Sequence, residues 1–362
     1  MTIAIIGTRG IPNQHGGFEQ FAEFFSVYAV KKGHRVVVYS TSDHDFQDNA
    51  FNGVQIIHKY NPEKTLGALG QFVYDYHCIK DLKKLKPDVI LQLGYTSSSV
   101  WGWLLPKNIP VFTNMDGMEW RRQKYNRLTQ FLLKKAEKWA VNTSQILIAD
   151  SQGIKIYLEN KYNRKPRFIP YGSKIFNFPE TNVIEKYGLK PYTYNMLIAR
   201  MEPENNIETI LESAVTSEKK MTFLVIGSFE KTSFGRKIHR RFSNYRHIKF
   251  LGAIYNEKII NNLRYFSNIY CHGHSVGGTN PSLLEAMGSH ALIVAHDNVF
   301  NRSILENDAF YFKNTKDLTT LFNTINKQDH LSIIQNNLTK IEEQYDWKKI
   351  NNQYLKLFNK YK

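Results

Sequence analysis

Residues Gly277-Gly278-Thr279-Asn280-Pro281-Ser282-Leu283-Leu284-Glu285 join a flexible loop to a helix start and place a carboxylate further inside. Backbone N–H groups at a helix opening attract phosphate, and paired glycines let the main chain approach it closely. Glu285 can then accept hydrogen bonds from hydroxyls. The chemistry this suits is recognition of an anionic, hydroxyl-bearing ligand such as a sugar nucleotide.

A second glycine-rich stretch, Gly7-Thr8-Arg9-Gly10-Ile11-Pro12, follows an apolar run, and Gly16-Gly17 open an amphipathic segment at Phe18-Glu19. Such a connection binds phosphate or lets a ligand sit against the backbone. A dinucleotide fingerprint needs G-x-G-x-x-G and an acid about twenty residues on. Here the spacing is Gly7-x-x-Gly10 and the next strand ends in Tyr39-Ser40, so NAD is not expected. Gly17 is followed by Phe18, so the Walker pattern is absent and ATP hydrolysis is not expected.

Arg200, in Ala199-Arg200-Met201-Glu202-Pro203-Glu204-Asn205-Asn206, follows a strand-like run, where its planar fork can pair with a diphosphate; a surface arginine is the plain alternative. Asp116 and Asp150 fall at the carboxyl ends of strand-like runs, where open α/β sheets bind ligands. Asp150 fits equally well as a helix N-cap before Ser151. Asp43-His44-Asp45 has the D-x-D spacing of a metal motif but reads as a solvated turn. His272-Gly273-His274 lacks cysteine or carboxylate partners, so it is expected to line a nucleotide pocket rather than hold a metal.

These groups need a frame. Strand-like runs alternate with helix-length segments through nearly the whole chain, which predicts parallel sheets built from βαβ units. In the first half the strands are expected at Ile3–Ile6, Arg35–Tyr39, Val54–His58, Val89–Leu93, Val111–Thr113 and Ile146–Ala149, with helices near 18–32, 72–85, 122–141 and 152–160. After the turn-rich stretch from Pro170 to Glu180, strands are expected at Tyr194–Ile198, Thr222–Ile226, Ile248–Leu251, Ile269–Cys271 and Ala291–Val294. Helices are expected near 205–215, 257–266 and 280–288, and a last one at Trp347–Asn359. Two α/β domains, 1–172 and 180–346, follow from this alternation and from a length of 362 residues.

Composition narrows the partners. The formal net charge is +16, with 23 Lys and Arg against 14 Asp and Glu in residues 1–172 and 25 against 18 in 173–362. An anionic partner is implied. Aromatic residues scatter through core-like strands and helices as well as the basic segment, so nucleic acid is not expected. Between Trp120 and Ala140, Arg121, Arg122, Lys124, Arg127, Lys134, Lys135 and Lys138 face the single acid Glu137, with Leu128, Phe131, Leu132 and Trp139 at helical spacing. The segment reads as an amphipathic helix, either a core helix with a solvated basic side or a contact with an anionic membrane surface. No apolar run approaches the roughly 18 residues of a span. Only Cys78 and Cys271 occur, and both read as buried thiols of a cytoplasmic protein.

In this order the motifs resemble the retaining glycosyltransferases of family 4. The start Gly7-Thr8-Arg9-Gly10-Ile11-Pro12…Gly16-Gly17-Phe18-Glu19, the segment Asp116-Gly117-Met118-Glu119-Trp120 and Gly277-Gly278-Thr279-Asn280-Pro281 look like a subgroup that includes bacterial rhamnosyltransferases. The resemblance implies the GT-B architecture, two Rossmann-like domains facing each other across a cleft. It gives the first domain to the acceptor and the second to the nucleotide sugar, with residues 347–362 packing back on the first.

It further implies metal-independent transfer with retention, without a cofactor, from a nucleoside diphosphate sugar to a glycan or polyprenyl-diphosphate-linked acceptor. L-Rhamnose from a dTDP donor is the subgroup's suggestion. Glu285 matches the family glutamate that holds the ribose, while the partner glutamate is replaced by Gly277. Arg200 matches the phosphate-binding arginine, and Asn205 stands where a lysine is expected. Arg9 is the candidate replacement cation. Gly10, Gly16, Gly17, Gly277, Gly278, Thr279 and Asn280 complete the donor set. Asp116 and Glu119 would face the acceptor, with Asp150 as a further catalytic candidate. The expected location is cytoplasmic, or peripheral on the inner face of the plasma membrane. A sugar-nucleotide epimerase of the same architecture and a non-catalytic nucleotide-sugar sensor are the rival readings.

Overall fold

The computed structural model describes residues 1–14, 16–122 and 125–361. The chain forms two compact units. One comprises Met1–Arg121, Tyr125–Tyr171 and Trp347–Lys362, and the other Arg122–Lys124 and Gly172–Asp346.

In the first unit the chain runs β1 (Thr2–Ile6), α1 (Gly17–Lys31), β2 (Arg35–Thr41), β3 (Ala50–Phe51), β4 (Val54–Lys59), α2 (Glu63–Leu66) and α3 (Gly70–Leu85). It continues through β5 (Val89–Leu93), β6 (Val111–Asn114), α4 (Arg127–Thr143), β7 (Ile146–Ala149), α5 (Gln152–Tyr162) and β8 (Arg167–Phe168). The sheet order is β3-β4-β2-β1-β5-β6-β7-β8, parallel except for the β3–β4 pair. Every residue of β5 is buried, as is required of a strand covered on both faces. From β1 the chain builds outward to β2 and β4, then returns to β5 on the other side. The order therefore reverses between β1 and β5, which is where such sheets leave a crevice at their carboxyl ends.

The second unit contains α6 (Thr181–Glu185), β9 (Tyr194–Ile198), α7 (Ile207–Thr216), β10 (Thr222–Ile226), α8 (Ser233–Phe242), β11 (Ile248–Gly252) and α9 (Glu257–Tyr265). It goes on with β12 (Ile269–His272), α10 (Pro281–Gly288), β13 (Ile293–His296), α11 (Val299–Leu305), β14 (Phe310–Phe312), α12 (Thr315–Thr324) and α13 (Leu331–Gln344). Its parallel sheet, β11-β10-β9-β12-β13-β14, reverses order between β9 and β12. One apolar cluster, including Leu197, Ile210, Phe223, Val225, Val294 and Phe322, fills its core.

The final helix, α14 (Trp347–Asn359), belongs to the first unit and packs on α1. Trp347 stacks on Phe24 with centroids 4.7 Å apart, and Tyr354 lies 4.7 Å from Phe21. Phe358 contacts Phe112 of β6 at 4.7 Å, and Tyr28 donates to Asn352 at 2.8 Å.

The basic segment differs from its expected form. Its helix is α4, begun by the Asn126 side chain capping Thr129 N–H, and its buried residues are Leu133, Ala136, Glu137, Ala140 and Val141. Leu128, Phe131, Leu132 and Trp139 are exposed, so the core-helix alternative does not hold for them. Glu137 is 2% exposed and accepts from Trp120 Nε1 (3.1 Å), Tyr157 Oη (2.8 Å), Lys161 Nζ (2.7 Å) and Tyr162 Oη (2.7 Å). Lys134 sits 4.5 Å from the Trp120 ring. Lys124 lies outside the described residues. Both cysteines are buried and unpaired, and among the described residues no helix is long and apolar enough to cross a membrane.

Candidate functional site

In the second unit the candidate donor residues gather at the sheet's reversal point. Arg200 lies two residues beyond β9, and the segment Gly273–Asn280 leaves β12, its immediate neighbour. Arg200 is exposed and enters no ion pair among the described residues. Asn205 is 5% exposed, and its Nδ2 donates to the Arg200 carbonyl at 2.7 Å. The amide is thus committed to closing the loop that carries the arginine. A Cβ on Gly273 would lie 2.0 Å from the Asn205 carbonyl oxygen, so glycine is needed where these loops cross. Ser275 N–H and Oγ both donate to the Glu204 carbonyl, at 3.0 and 2.8 Å. Asn298 and Asn301 each donate to the His274 carbonyl at 3.0 Å. The loop that follows β12 is therefore tied to β9's loop on one side and α11 on the other.

The two histidines have different surroundings. His272 is wholly buried and stacks on His274, with centroids 4.4 Å apart, so it supports the loop from behind. Burial, reinforced by the Arg200 charge, pushes the His274 imidazole down to about 3. His274 is accordingly neutral and adds no positive charge beside Arg200.

Gly277 has φ +131°, a backbone that a glutamate avoids although nothing lies within 4 Å of where a Cβ would be. The replacement of the expected glutamate is thus built into the main chain. Asn280 caps α10 through its side chain, accepting from Ser282 N–H at 2.9 Å, and Leu283 N–H donates to the Asn280 carbonyl. With Pro281 lacking an N–H, the first turn of α10 offers less to an anion than expected. The amides of Gly277, Gly278, Thr279 and Asn280 remain the candidates, and Thr279 is buried. Glu285 is held by Arg264, whose Nη2 lies 2.7 Å from Oε2, with side-chain exposures of 3% for the arginine and 30% for the glutamate. Arg264 was not singled out from sequence.

In the first unit the glycine-rich loop after β1 closes on itself. Arg9 N–H donates to Glu19 Oε1 at 3.0 Å, Gly10 N–H to Thr8 Oγ1 at 3.1 Å, and Gly16 N–H to Asn13 Oδ1 at 3.2 Å. A Cβ on Gly7 would meet the Leu93 carbonyl at 2.2 Å, and one on Gly10 would meet Ser40 Oγ at 2.5 Å. These two glycines permit close packing of the loop on β5 and β2. Gly16 precedes α1 and Gly17 is its first residue. The Arg9 guanidinium pairs with Glu63 at 2.6 Å. Asp43-His44-Asp45 departs from a simple solvated turn. His44 is 3% exposed beneath Gly10, while Asp43 pairs with Lys64. Among the described residues no cluster of three or more metal-ligating side chains occurs.

Asp116 follows β6 with φ +47°, its N–H bound to Asn114 Oδ1 at 3.0 Å. Asp150 follows β7 and is 1% exposed. Ser151 rather than Asp150 caps α5, accepting from Ile154 N–H at 3.2 Å. Burial raises the Tyr171 phenol well above its usual value, with Asp116, Asp150, Tyr354 and Glu19 adding to the rise. The carboxyl ends of β6 and β7 and the start of α1 thus place three acids within electrostatic reach of one buried phenol. Glu119 opens a single 3₁₀ turn, Glu119–Arg121, beside them. A further buried acid, Asp75 of α3, accepts from Ser97 Oγ at 2.5 Å, and burial pushes it up to about 7.

The architecture is α/β with two parallel-sheet units, the GT-B glycosyltransferase fold. It is shared with sucrose-phosphate synthase from Thermosynechococcus elongatus (TM-score 0.81, 15% identity, 99% of this chain and 98% of that one). It is likewise shared with HepE from Anabaena in complex with UDP and glucose (TM-score 0.76, 15% identity, 99% of each chain). A third similar structure is the α,α-trehalose 6-phosphate synthase from Burkholderia multivorans (TM-score 0.70, 10% identity, 99% and 98% covered). Residues 1–174 match the family model described as "Domain of unknown function (DUF1972)". No curated protein sequence matches the chain.

Proposed function

We propose that the protein is a nucleotide-sugar-dependent glycosyltransferase whose donor binds in the second unit. The observation that carries this reading is the convergence of Arg200 and the Gly277–Asn280 loop at the reversal between β9 and β12, with Glu285 on the helix that follows. Arg200 pairs with the diphosphate, the loop amides surround it, and Glu285 accepts from the pentose hydroxyls. Charge growing on the departing diphosphate is met by these fixed donors, the largest catalytic contribution open to a site that works without a metal. Arg9 is the proposed second cation; within the first unit its guanidinium pairs with Glu63. That HepE was solved with UDP-glucose supports a nucleotide sugar as the ligand class.

The acceptor hydroxyl is oriented by Asp116, with Glu119 and Asp150 supporting it, and the transfer retains the anomeric configuration. The acceptor is a glycan or polyprenyl-diphosphate-linked sugar of cell-surface polysaccharide synthesis, and L-rhamnose from dTDP-rhamnose is the favoured donor. The exposed Leu128, Phe131, Leu132 and Trp139, together with Lys135 and Lys138 on the same helix, form a peripheral contact with an anionic membrane.

Incubation with a panel of nucleotide sugars and a polyprenyl-diphosphate-linked glycan, with and without EDTA, tests the reading. The expected result is EDTA-insensitive release of nucleoside diphosphate coupled to a new α- or β-linkage matching the donor. Binding without turnover, or a changed sugar in the absence of acceptor, contradicts it.

A further inference from the structure

Arg264 is 2% exposed, lies in the last turn of α9, and reaches three acceptors: Glu285 Oε2 at 2.7 Å, Ser282 Oγ at 3.1 Å and Asn261 Oδ1 at 3.3 Å. Two of them, Ser282 and Glu285, belong to α10, and Ser282 Oγ is also 2.8 Å from Tyr270 Oη of β12. A buried guanidinium is a poor stabiliser, because the desolvation of its charge roughly cancels the attraction of its partner. What the arrangement supplies is a fixed direction. A glutamate on a helix surface ordinarily samples several rotamers, and each lost on ligand binding costs affinity. A planar fork that grips one carboxylate oxygen and the serine one helical turn earlier removes that freedom in advance.

We propose that Arg264 is a positioning residue for nucleotide selection: it presets the Glu285 carboxylate to read the sugar hydroxyls of a nucleoside diphosphate. The inference rests on the assignment of Glu285 to the pentose. It places the determinant of that recognition on a neighbouring helix, out of reach of the ligand. Its signature is a change in discrimination between sugars that carry and lack hydroxyls, which a residue that only braces α9 against α10 would leave alone.

Isothermal titration with UDP and 2′,3′-dideoxyuridine 5′-diphosphate separates these cases. The wild type is expected to prefer UDP by about tenfold or more, the size of one charge-assisted hydrogen bond. In Arg264→Met the preference falls to within about threefold, and dideoxy-nucleotide affinity stays within about twofold of the wild type. Ser282→Ala, which removes one acceptor of the fork and is compatible with a helix, gives a smaller loss in the same direction and serves if Arg264→Met does not fold. Undiminished preference for UDP in a folded Arg264→Met, or in Ser282→Ala where that variant is the one available, overturns the inference. A wild type that binds UDP with no preference overturns the assignment of Glu285 itself. A preference lost in Glu285→Ala yet kept in Arg264→Met removes only the role of Arg264.

Discussion

Asn205 donates its side-chain N–H to the Arg200 carbonyl at 2.7 Å, so the residue standing where a cation was expected holds the neighbouring cation's backbone instead. A lysine there would have to find a path out of a buried position against Gly273, whose own Cβ would already collide with the Asn205 carbonyl. Under the proposed function, Asn205 therefore brings no charge to the diphosphate and serves only to hold the Arg200 loop.

Arg200→Ala should lower kcat/KM by about 10²-fold or more with an unchanged melting temperature, since the side chain is exposed. Asn205→Ala leaves a carbonyl unpaired and should cost about 1–3 kcal/mol of stability, with a parallel loss of turnover. Asn205→Lys should lower the melting temperature without raising turnover. Thermal melts paired with initial rates check all three, and an Asn205→Ala protein as stable and active as the wild type would contradict the arrangement.

The Arg9–Glu63 pair is part-exposed on both sides, 40% and 32%, so it contributes only about 0–1 kcal/mol. Glu63→Gln should therefore leave stability nearly unchanged and leave turnover equal or higher. Arg9→Ala should reduce turnover at least tenfold, the order expected for one cation lost from the leaving group. Equal, small effects of both substitutions on stability, with turnover untouched, would make the pair a surface brace.

Asp75 gives a pH dependence of definite sign. Its pKa is raised to about 7 in the folded protein from an ordinary value of 3.8, so between these pH values the native state binds more protons than the unfolded chain. Stability then falls as pH rises through that window. His274, lowered to about 3 from 6.5, acts oppositely: the unfolded chain binds the extra proton, and stability rises with pH between 3 and 6.5. Asp75→Asn should thus stabilise at pH 8 by about 2–4 kcal/mol and change little at pH 4, measured by urea unfolding at both. A gain equal at the two pH values would show that the carboxyl is ionised in both.

The exposed face of α4 predicts binding to vesicles containing anionic lipid. Lys135→Glu with Lys138→Glu should weaken sedimentation with such vesicles by about tenfold or more, at about 1 kcal/mol per charge near the surface. Trp139→Ala should weaken binding to neutral and anionic vesicles alike. Equal partitioning of the wild type to both vesicle types would contradict the electrostatic component.

How far these features were legible in the sequence follows from the distance over which each is determined. The strands Val89–Leu93, Ile146–Ala149, Tyr194–Ile198 and Thr222–Ile226 match their expected bounds because each is a short apolar run with polar or turn residues around it. Helix α8 has no clear signal in the sequence because Arg236, Lys237, Arg240 and Arg241 outweigh its two large buried apolar residues, Ile238 and Phe242. In α4 the spacing of Leu128, Phe131, Leu132 and Trp139 is the same whether that face meets a core or solvent, so periodicity could not decide between them. Arg264 and Glu285 are 21 residues apart, and Arg9 and Glu63 54 apart. Such pairs exist only once α9 meets α10, or α2 meets the loop after β1. The self-closure of the Gly7–Gly10 loop likewise depends on Glu19, whose reach back to Arg9 N–H no glycine spacing reveals.

The most direct test of the central claim is a crystal structure of the protein soaked with a nucleoside diphosphate. The account predicts phosphate oxygens within hydrogen-bond distance of Arg200 and the Gly277–Asn280 amides, and pentose hydroxyls on the Glu285 carboxylate. Nucleotide bound elsewhere, or bound with Glu285 turned away from the pentose, would contradict it.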